Sequence, residues 1–251
     1  MYTVYNTPMS EFILKLFAMA CMAIDHIGLV FFPQHRFLRC IGRIAFPLYA
    51  FMIAEGFAHT EKSGHTGKYL MRLVLLALIS EIPYDIGLYG SFPRMDHTNV
   101  IFTLLVGLLM LYGISHTSSL PLQAVIVVLC AYTAEFIHSS YGYAGVTLIL
   151  LYHLYVQYGK DKNTGTRILI LCGIAMLFGG YYLCHNARSM DPSTVIAVFK
   201  RSTWTQTGVL ASVPLIAFYN GKKGQDSPVF RWFYRLFYPL HLSVFTLLRI
   251  L

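Results

Sequence analysis

Asp25 and His26 stand together inside an apolar run from Leu16 to Phe32, and Lys15 lies eleven residues before the histidine. A charged side chain at the centre of a bilayer costs about 3 kcal/mol or more, so ionisable groups at that depth face a protein interior or a water-filled cavity and mark a pathway or a reaction centre. An imidazole titrates nearest neutral pH and an acidic neighbour fixes its tautomer, which suits proton transfer or nucleophilic chemistry. Adjacent helical residues point about 100° apart. The carboxylate that orients His26 is therefore either Asp25 or Glu55.

Helical geometry ties Lys15 to His26. Eleven residues at 100° each return to within about 20° of the same face and rise about 16 Å. One stripe then carries a cation at headgroup level and an imidazole deeper in, with Met19 and Met22 between them. A long ligand with an anionic head and a reactive tail fits that stripe. Coenzyme A is such a ligand, its phosphates meeting Lys15 and its pantetheine arm carrying an acyl thioester to His26. The bland alternative is that Lys15 snorkels to the interface.

Further polar residues gather in the same third of the chain. Arg39 and Arg43, Glu55 and His59, and Glu81 and Asp85 each share a helix face at i,i+4. A buried Arg43 needs a carboxylate, since stranding one member of a buried ion pair costs several kcal/mol, and Asp25, Glu55 and Glu81 are candidates. Arg43 with Asn99 and Thr103, the latter two at i,i+4, would offer charge and donors to a developing oxyanion or to phosphates. Arg72 is a second candidate phosphate contact. Glu81 and Asp85 flank Pro83 and either shape an entrance for an acceptor or pair with Arg43 and Arg72. His59 and His241 are undecided between chemistry and structure.

The elements that must position these residues are membrane helices. Over 251 residues the chain is 56% hydrophobic and 12% charged, where a soluble domain is about a quarter charged. Apolar runs near the roughly 20 residues that cross a bilayer fall at 11–32, 39–58, 68–90, 97–114, 120–138, 140–158, 167–184, 203–220 and 234–251. The expected fold is all-α, a polytopic membrane helical bundle of about nine transmembrane helices in a single integral membrane domain, residues 1–251. Its polar, catalytic part is 11–90 and its mainly apolar scaffold 97–251. The eighth run is short and interrupted by Pro214, and Pro192 to Phe199 could instead form an interfacial helix.

With the N-terminus in the cytoplasm, eleven of the 19 Lys and Arg fall inside, a mild positive-inside bias. MYTVYNTPMSEFILK lacks a basic n-region and no small-residue cleavage site follows, so the first span is expected to stay attached. The net charge of +8 suits anionic lipid headgroups and needs no nucleic acid partner. Cys21, Cys40, Cys130, Cys172 and Cys184 show no CxxC spacing and read as small buried hydrophobes. There is no GxSG serine elbow and no His-Glu-x-x-His motif; a metal site built from His26, His59 and the carboxylates is conceivable, but their spacing is not diagnostic, and no metal is expected. A proton-coupled secondary transporter using Asp25, His26 and Glu55 as a relay is the alternative from another class. Against it, no inverted repeat of the N-terminal motifs appears in the second half.

Several stretches together resemble the TraX family: KLFAMACMAIDHIG (Lys15 to Gly28), IGRIAFPLYAFMIAEGFAHT (Ile41 to Thr60), YLMRLVLLALISEIPYD (Tyr69 to Asp85), NVIFTLLVGL (Asn99 to Leu108), YGYAGVTLILLY (Tyr141 to Tyr152), YNGKKG (Tyr219 to Gly224) and FYPLHL (Phe237 to Leu242). The resemblance implies a bacterial inner-membrane protein that uses acetyl-CoA to acetylate an N-terminal amine, that of pilin in conjugative plasmids. The acceptor is then an amine or hydroxyl, on a pilin-like protein if the resemblance extends that far. The Lys15, ten residues, His26 spacing is also similar to the Arg/Lys and His pattern of acyltransferase-3 membrane acyltransferases. On this reading His26 is the general base, or alternatively a nucleophile that carries the acetyl group in two steps.

Overall fold

The computed structural model describes residues 9–94, 96–188 and 206–250, and every regular element among them is helical. The chain divides into two compact units, Met1–Tyr49 with Gly159–Arg235, and Ala50–Tyr158 with Leu236–Leu251. In chain order the helices are α1 (Glu11–Val30), α2 (Arg36–Gly42), α3 (Ala45–Lys62), α4 (Thr66–Tyr84), α5 (Val100–Ser115), α6 (Leu120–Phe136), α7 (Gly142–Leu154), α8 (Thr164–Arg188), α9 (Ser212–Ala217) and α10 (Pro228–Ile250).

In the first unit Ser10 starts α1, its hydroxyl accepting from Ile13 N–H at 3.5 Å, which satisfies one of the orphan donors of a helix start. The α1–α2 hairpin closes on two glycines. A Cβ on Gly28 would lie 2.6 Å from the Leu38 Cβ, and one on Gly42 would lie 1.9 Å from Asp25 Oδ1. Phe46 and Phe178 stack at 5.8 Å in a core that includes Leu14, Ala18, Leu171 and Ile216.

In the second unit α5 pairs with α6 and α7, and Gly107 is where α5 comes against Ile149 of α7. Phe51 meets Tyr152 edge-on at 5.9 Å, over a core of Phe57, Leu108, Met110, Leu111 and Leu148. Asn99 caps α5 by accepting from Ile101 N–H at 2.9 Å. The outer face of α6 is apolar and exposed, through Val125, Val128, Leu129, Tyr132 and Phe136.

Four of the apolar runs depart from single helices; one of them, 140–158, is α7 followed by a five-residue π-turn, Tyr155–Gly159. The run 39–58 is broken at Arg43 and Ile44. There Arg43 N–H reaches the Arg39 and Cys40 carbonyls and Ile44 N–H the Ile41 carbonyl, a tighter winding than the α-helix. Gly208 presses on the same point, since a Cβ there would lie 1.9 Å from the Cys40 carbonyl oxygen. The run 68–90 ends in a five-residue π-turn, Asp85–Tyr89, that follows Pro83 and stops at Gly90 with φ +79°; proline supplies no N–H to the ladder and glycine tolerates the left-handed turn. The run 203–220 is a 3-10 turn, Thr207–Ala211, followed by the six-residue α9, with Pro214 in its first turn. Residues 203–205 and the Pro192 to Phe199 segment lie outside the described residues.

By length and composition, Glu11–Val30, Arg36–Lys62 and Thr164–His185 are long and apolar enough to cross a membrane. Val100–Ser115, Leu120–Phe136 and Thr207–Ala217 are apolar but shorter.

Candidate functional site

Asp25, His26, Arg43 and Lys15 belong to the first unit. Asp25 Oδ2 accepts from Arg39 Nη1 at 2.5 Å, and the same nitrogen lies 3.4 Å from the Asp25 carbonyl. Asp25 Oδ1 is buried against Gly42 and has no hydrogen-bond partner among the described residues. Of the two arginines one turn apart, Arg39 makes the direct contact, while the Arg43 charge acts on Asp25 from farther away. Arg43 sits in the turn before α3 with its Nε buried. His26, the next residue of α1, is half-buried.

Lys15 is one turn into α1, paired with Glu11 Oε1 at 2.6 Å and placed 4.5 Å from the Tyr234 ring centroid. Met19 and Met22, between Lys15 and His26, are buried. The Lys15 ammonium is thus held at one end of the helix by a carboxylate and an aromatic face, an arrangement worth about 0.5–1 kcal/mol for each contact near a surface.

Glu55, Arg72, Asn99 and Thr103 belong to the second unit. Glu55 is buried on α3, its Oε1 3.5 Å from Nε2 of the exposed His59. Arg72 is exposed and its Nε donates to the Lys68 carbonyl at 3.1 Å. Asn99 is fully buried and all its polar atoms are engaged: Nδ2 donates to the Ala77 carbonyl at 2.9 Å and to Glu81 Oε2 at 2.5 Å, its backbone N–H donates to the same Glu81 oxygen, and Oδ1 caps α5. Thr103, equally buried, donates to Ser139 Oγ at 3.0 Å and accepts from Tyr141 N–H. These side chains fasten α5 to its neighbours.

A polar corner surrounds the π-turn. Asp85 Oδ2 accepts from Arg94 N–H at 2.9 Å, and Arg94 in turn donates to Asp96 through Nε and Nη2 and lies 4.3 Å from the Tyr89 ring. That guanidinium holds the exposed Asp96 carboxyl below the usual carboxylate range. Tyr84 OH meets Ser140 Oγ at 3.3 Å, and Ser140 donates to the Thr98 carbonyl. Glu81 and Asp85 therefore take Asn99 and Arg94 as partners. The amide at Asn99 and the loop arginine carry no i,i+4 signal that would have paired them.

His241 directs Nδ1 at the Phe237 carbonyl, 2.7 Å away, among the rings of Phe237, Tyr238 and Phe245. Its geometry is that of a packed helix histidine.

The model of the TraX family, described as TraX protein, matches residues 10–249. The chain belongs to the TraX family. The chain is 28% identical over 253 residues to the "Probable fimbrial assembly protein FimC, serogroup H1" of Dichelobacter nodosus, covering 95% of both chains. It is also 24% identical over 187 residues to "Uncharacterized protein RP591" of Rickettsia prowazekii (strain Madrid E), covering 74% of this chain and 61% of that one. No solved structure matches the chain.

Proposed function

We propose that this protein is a membrane-embedded acetyltransferase that moves an acetyl group from cytosolic acetyl-CoA to an amine or hydroxyl acceptor, with His26 as general base. The observation that carries the reading is the α1 stripe, in which Lys15 is fixed at one end and His26 stands eleven residues deeper beside the Asp25–Arg39 pair. Membership of the TraX family supports acetyl transfer. The fimbrial assembly name of the Dichelobacter nodosus relative supports a pilin-like acceptor.

The protein on this reading is a multi-pass protein of the bacterial cytoplasmic membrane with its N-terminus inside and about nine crossings, the short helices serving as partial spans. The exposed apolar face of α6 supports lipid contact, since water would penalise it. Lys15 and Arg72 then lie toward the cytoplasm, where CoA phosphates arrive.

In the reaction, the acceptor nitrogen or oxygen attacks the thioester carbonyl carbon while the His26 imidazole takes its proton. The C=O π-pair becomes an oxyanion, and positive charge from Arg43 favours it. As the oxyanion collapses the C–S bond breaks, and the imidazolium returns the proton to the departing CoA sulfur. Asp25, held by Arg39, stabilises the imidazolium, as the acid of a triad does. Asn99 and Thr103 act at one remove, by fastening α5.

The test is thiol release from acetyl-CoA by the purified full-length protein in nanodiscs, wild type against His26→Ala. The expected loss is about 100-fold or more, the usual worth of a general base. Wild type that neither binds nor cleaves acetyl-CoA would overturn the reading, and proton flux in its place would favour transport.

A further inference from the structure

The YNGKKG segment, Tyr219 to Gly224, forms a strap across the start of α1 in the first unit. Glu11 N–H donates to the Lys222 carbonyl at 2.9 Å, Phe12 N–H to the Lys223 carbonyl at 3.0 Å, and Asn220 N–H to the Met9 carbonyl at 3.0 Å. Asn220 Oδ1 accepts from Lys222 N–H at 2.9 Å, which closes the turn on itself. Gly221 and Gly224 take φ +73° and +74°, and a Cβ on Gly224 would lie 2.4 Å from Ser10 Oγ. A loop that served only as a positive-inside signal would need none of this fixed backbone.

The strap collects cations. Arg167 is buried and reaches the Tyr219 carbonyl through Nη2 at 3.5 Å, and Lys160 lies 5.6 Å from the Tyr219 ring centroid. Lys222 and Lys223 point out from the exposed turn, and Lys15 is one helical turn beyond Glu11. The carboxylates nearby are committed: Glu11 to Lys15, and Asp226 to Arg231 at 3.3 Å with Lys223 at 4.0 Å. Lys222 has no ion pair among the described residues.

We infer that this strap is a phosphate-ester site, in which Lys222, Lys223 and Lys160 hold the phosphates of the acyl donor's nucleotide at the end of α1 that bears Lys15. The inference rests on the acetyl-CoA reading for its ligand. It adds the strap to Lys15 as the place where the nucleotide is held, and so makes a specificity site of a motif that the chemistry at His26 leaves unused. Phosphate esters also arrive as anionic lipid headgroups, with the same attraction to a lysine cluster.

The experiment separates the two sources. Full-length protein in nanodiscs of pure phosphatidylcholine is titrated with 3′,5′-ADP, comparing wild type, Lys222→Glu/Lys223→Glu, Lys160→Glu, and the charge-matched control Lys62→Glu/Lys68→Glu. Melting temperature and a monodisperse elution profile check folding. The strap variants should bind 3′,5′-ADP about tenfold or more weakly, as expected when charge-assisted contacts are lost, and the control should bind as wild type. In a parallel arm the phosphatidylglycerol retained through purification is measured. Unchanged nucleotide affinity with lost phosphatidylglycerol would assign the strap to lipid and overturn the nucleotide site; no change in either arm would overturn the phosphate site altogether. A wild type that binds 3′,5′-ADP yet leaves acetyl-CoA intact would sink the acetyltransferase reading and spare the strap. Turnover of acetyl-CoA with an unaltered KM in the strap variants would do the reverse.

Discussion

Arg39 Nη1 contacts Asp25 Oδ2 at 2.5 Å across the α1–α2 hairpin, while the other Asp25 oxygen is buried against Gly42. The carboxylate beside His26 is therefore positioned by the second helix. Both side chains are largely shielded, 24% and 18% exposed, so removing one partner strands a charge in a poorly solvated place.

Arg39→Ala should lower the stability of the detergent-solubilised protein by about 2–3 kcal/mol, allowing for partial exposure. The double variant Arg39→Ala/Asp25→Asn should recover part of that loss, because no bare charge is left. Thermal unfolding of the two singles and the double measures the coupling; additive effects would mean that the pair does not position Asp25.

Asn99→Ala should cost about 1 kcal/mol for the α5 cap and about 1–3 kcal/mol more for the Glu81 oxygen that loses its donors. Asn99→Asp should be worse, since it sets a second carboxylate against Glu81 Oε2, now 2.5 Å from Nδ2. Melting temperature reads both, and KM for acetyl-CoA should stay where it is. A raised KM in a variant of wild-type stability would put Asn99 in contact with the donor.

Lys15→Gln removes the cation that pairs with Glu11 and lies against Tyr234. Steady-state kinetics should show a raised KM for acetyl-CoA with little change in kcat, the signature of a group that binds without taking part in the chemistry. Glu11→Gln, which frees the same ammonium, should leave KM unchanged or lower it. A fall in kcat alone for Lys15→Gln would contradict the phosphate role.

The Arg94–Asp96 contact gives a pH dependence of known sign. The Asp96 carboxyl is held below its usual range by the guanidinium, so its contribution is complete above the unfolded carboxylate pKa of about 3.9 and fades as pH falls through the lower folded value. Melting temperature of Asp96→Asn against wild type should differ above about pH 4 and converge below it. A difference that grows as the pH falls would reverse the sign and exclude the account.

Much of the architecture is written in residue types. The apolar runs 11–32, 97–114 and 120–138 find α1, α5 and α6 within a few residues, whereas 39–58, 68–90, 140–158 and 203–220 do not match single helices. Tertiary geometry decides the rest. Arg39 and Arg43 are equivalent in a list of i,i+4 neighbours, and the hairpin closure at Gly28 and Gly42 selects Arg39 for Asp25. The break at Arg43 coincides with the close approach of Gly208, far along the chain. The strap on α1 is made by backbone carbonyls, which no side-chain pattern announces.

The central claim is that His26 moves the proton in an acetyl transfer, and its most direct test is labelled acetyl-CoA incubated with the full-length protein and a peptide bearing a pilin-like N-terminal amine. Wild type is predicted to acetylate that amine, and His26→Ala to lose the activity by about 100-fold or more while still binding CoA. Equal acetylation by the two proteins would contradict the account.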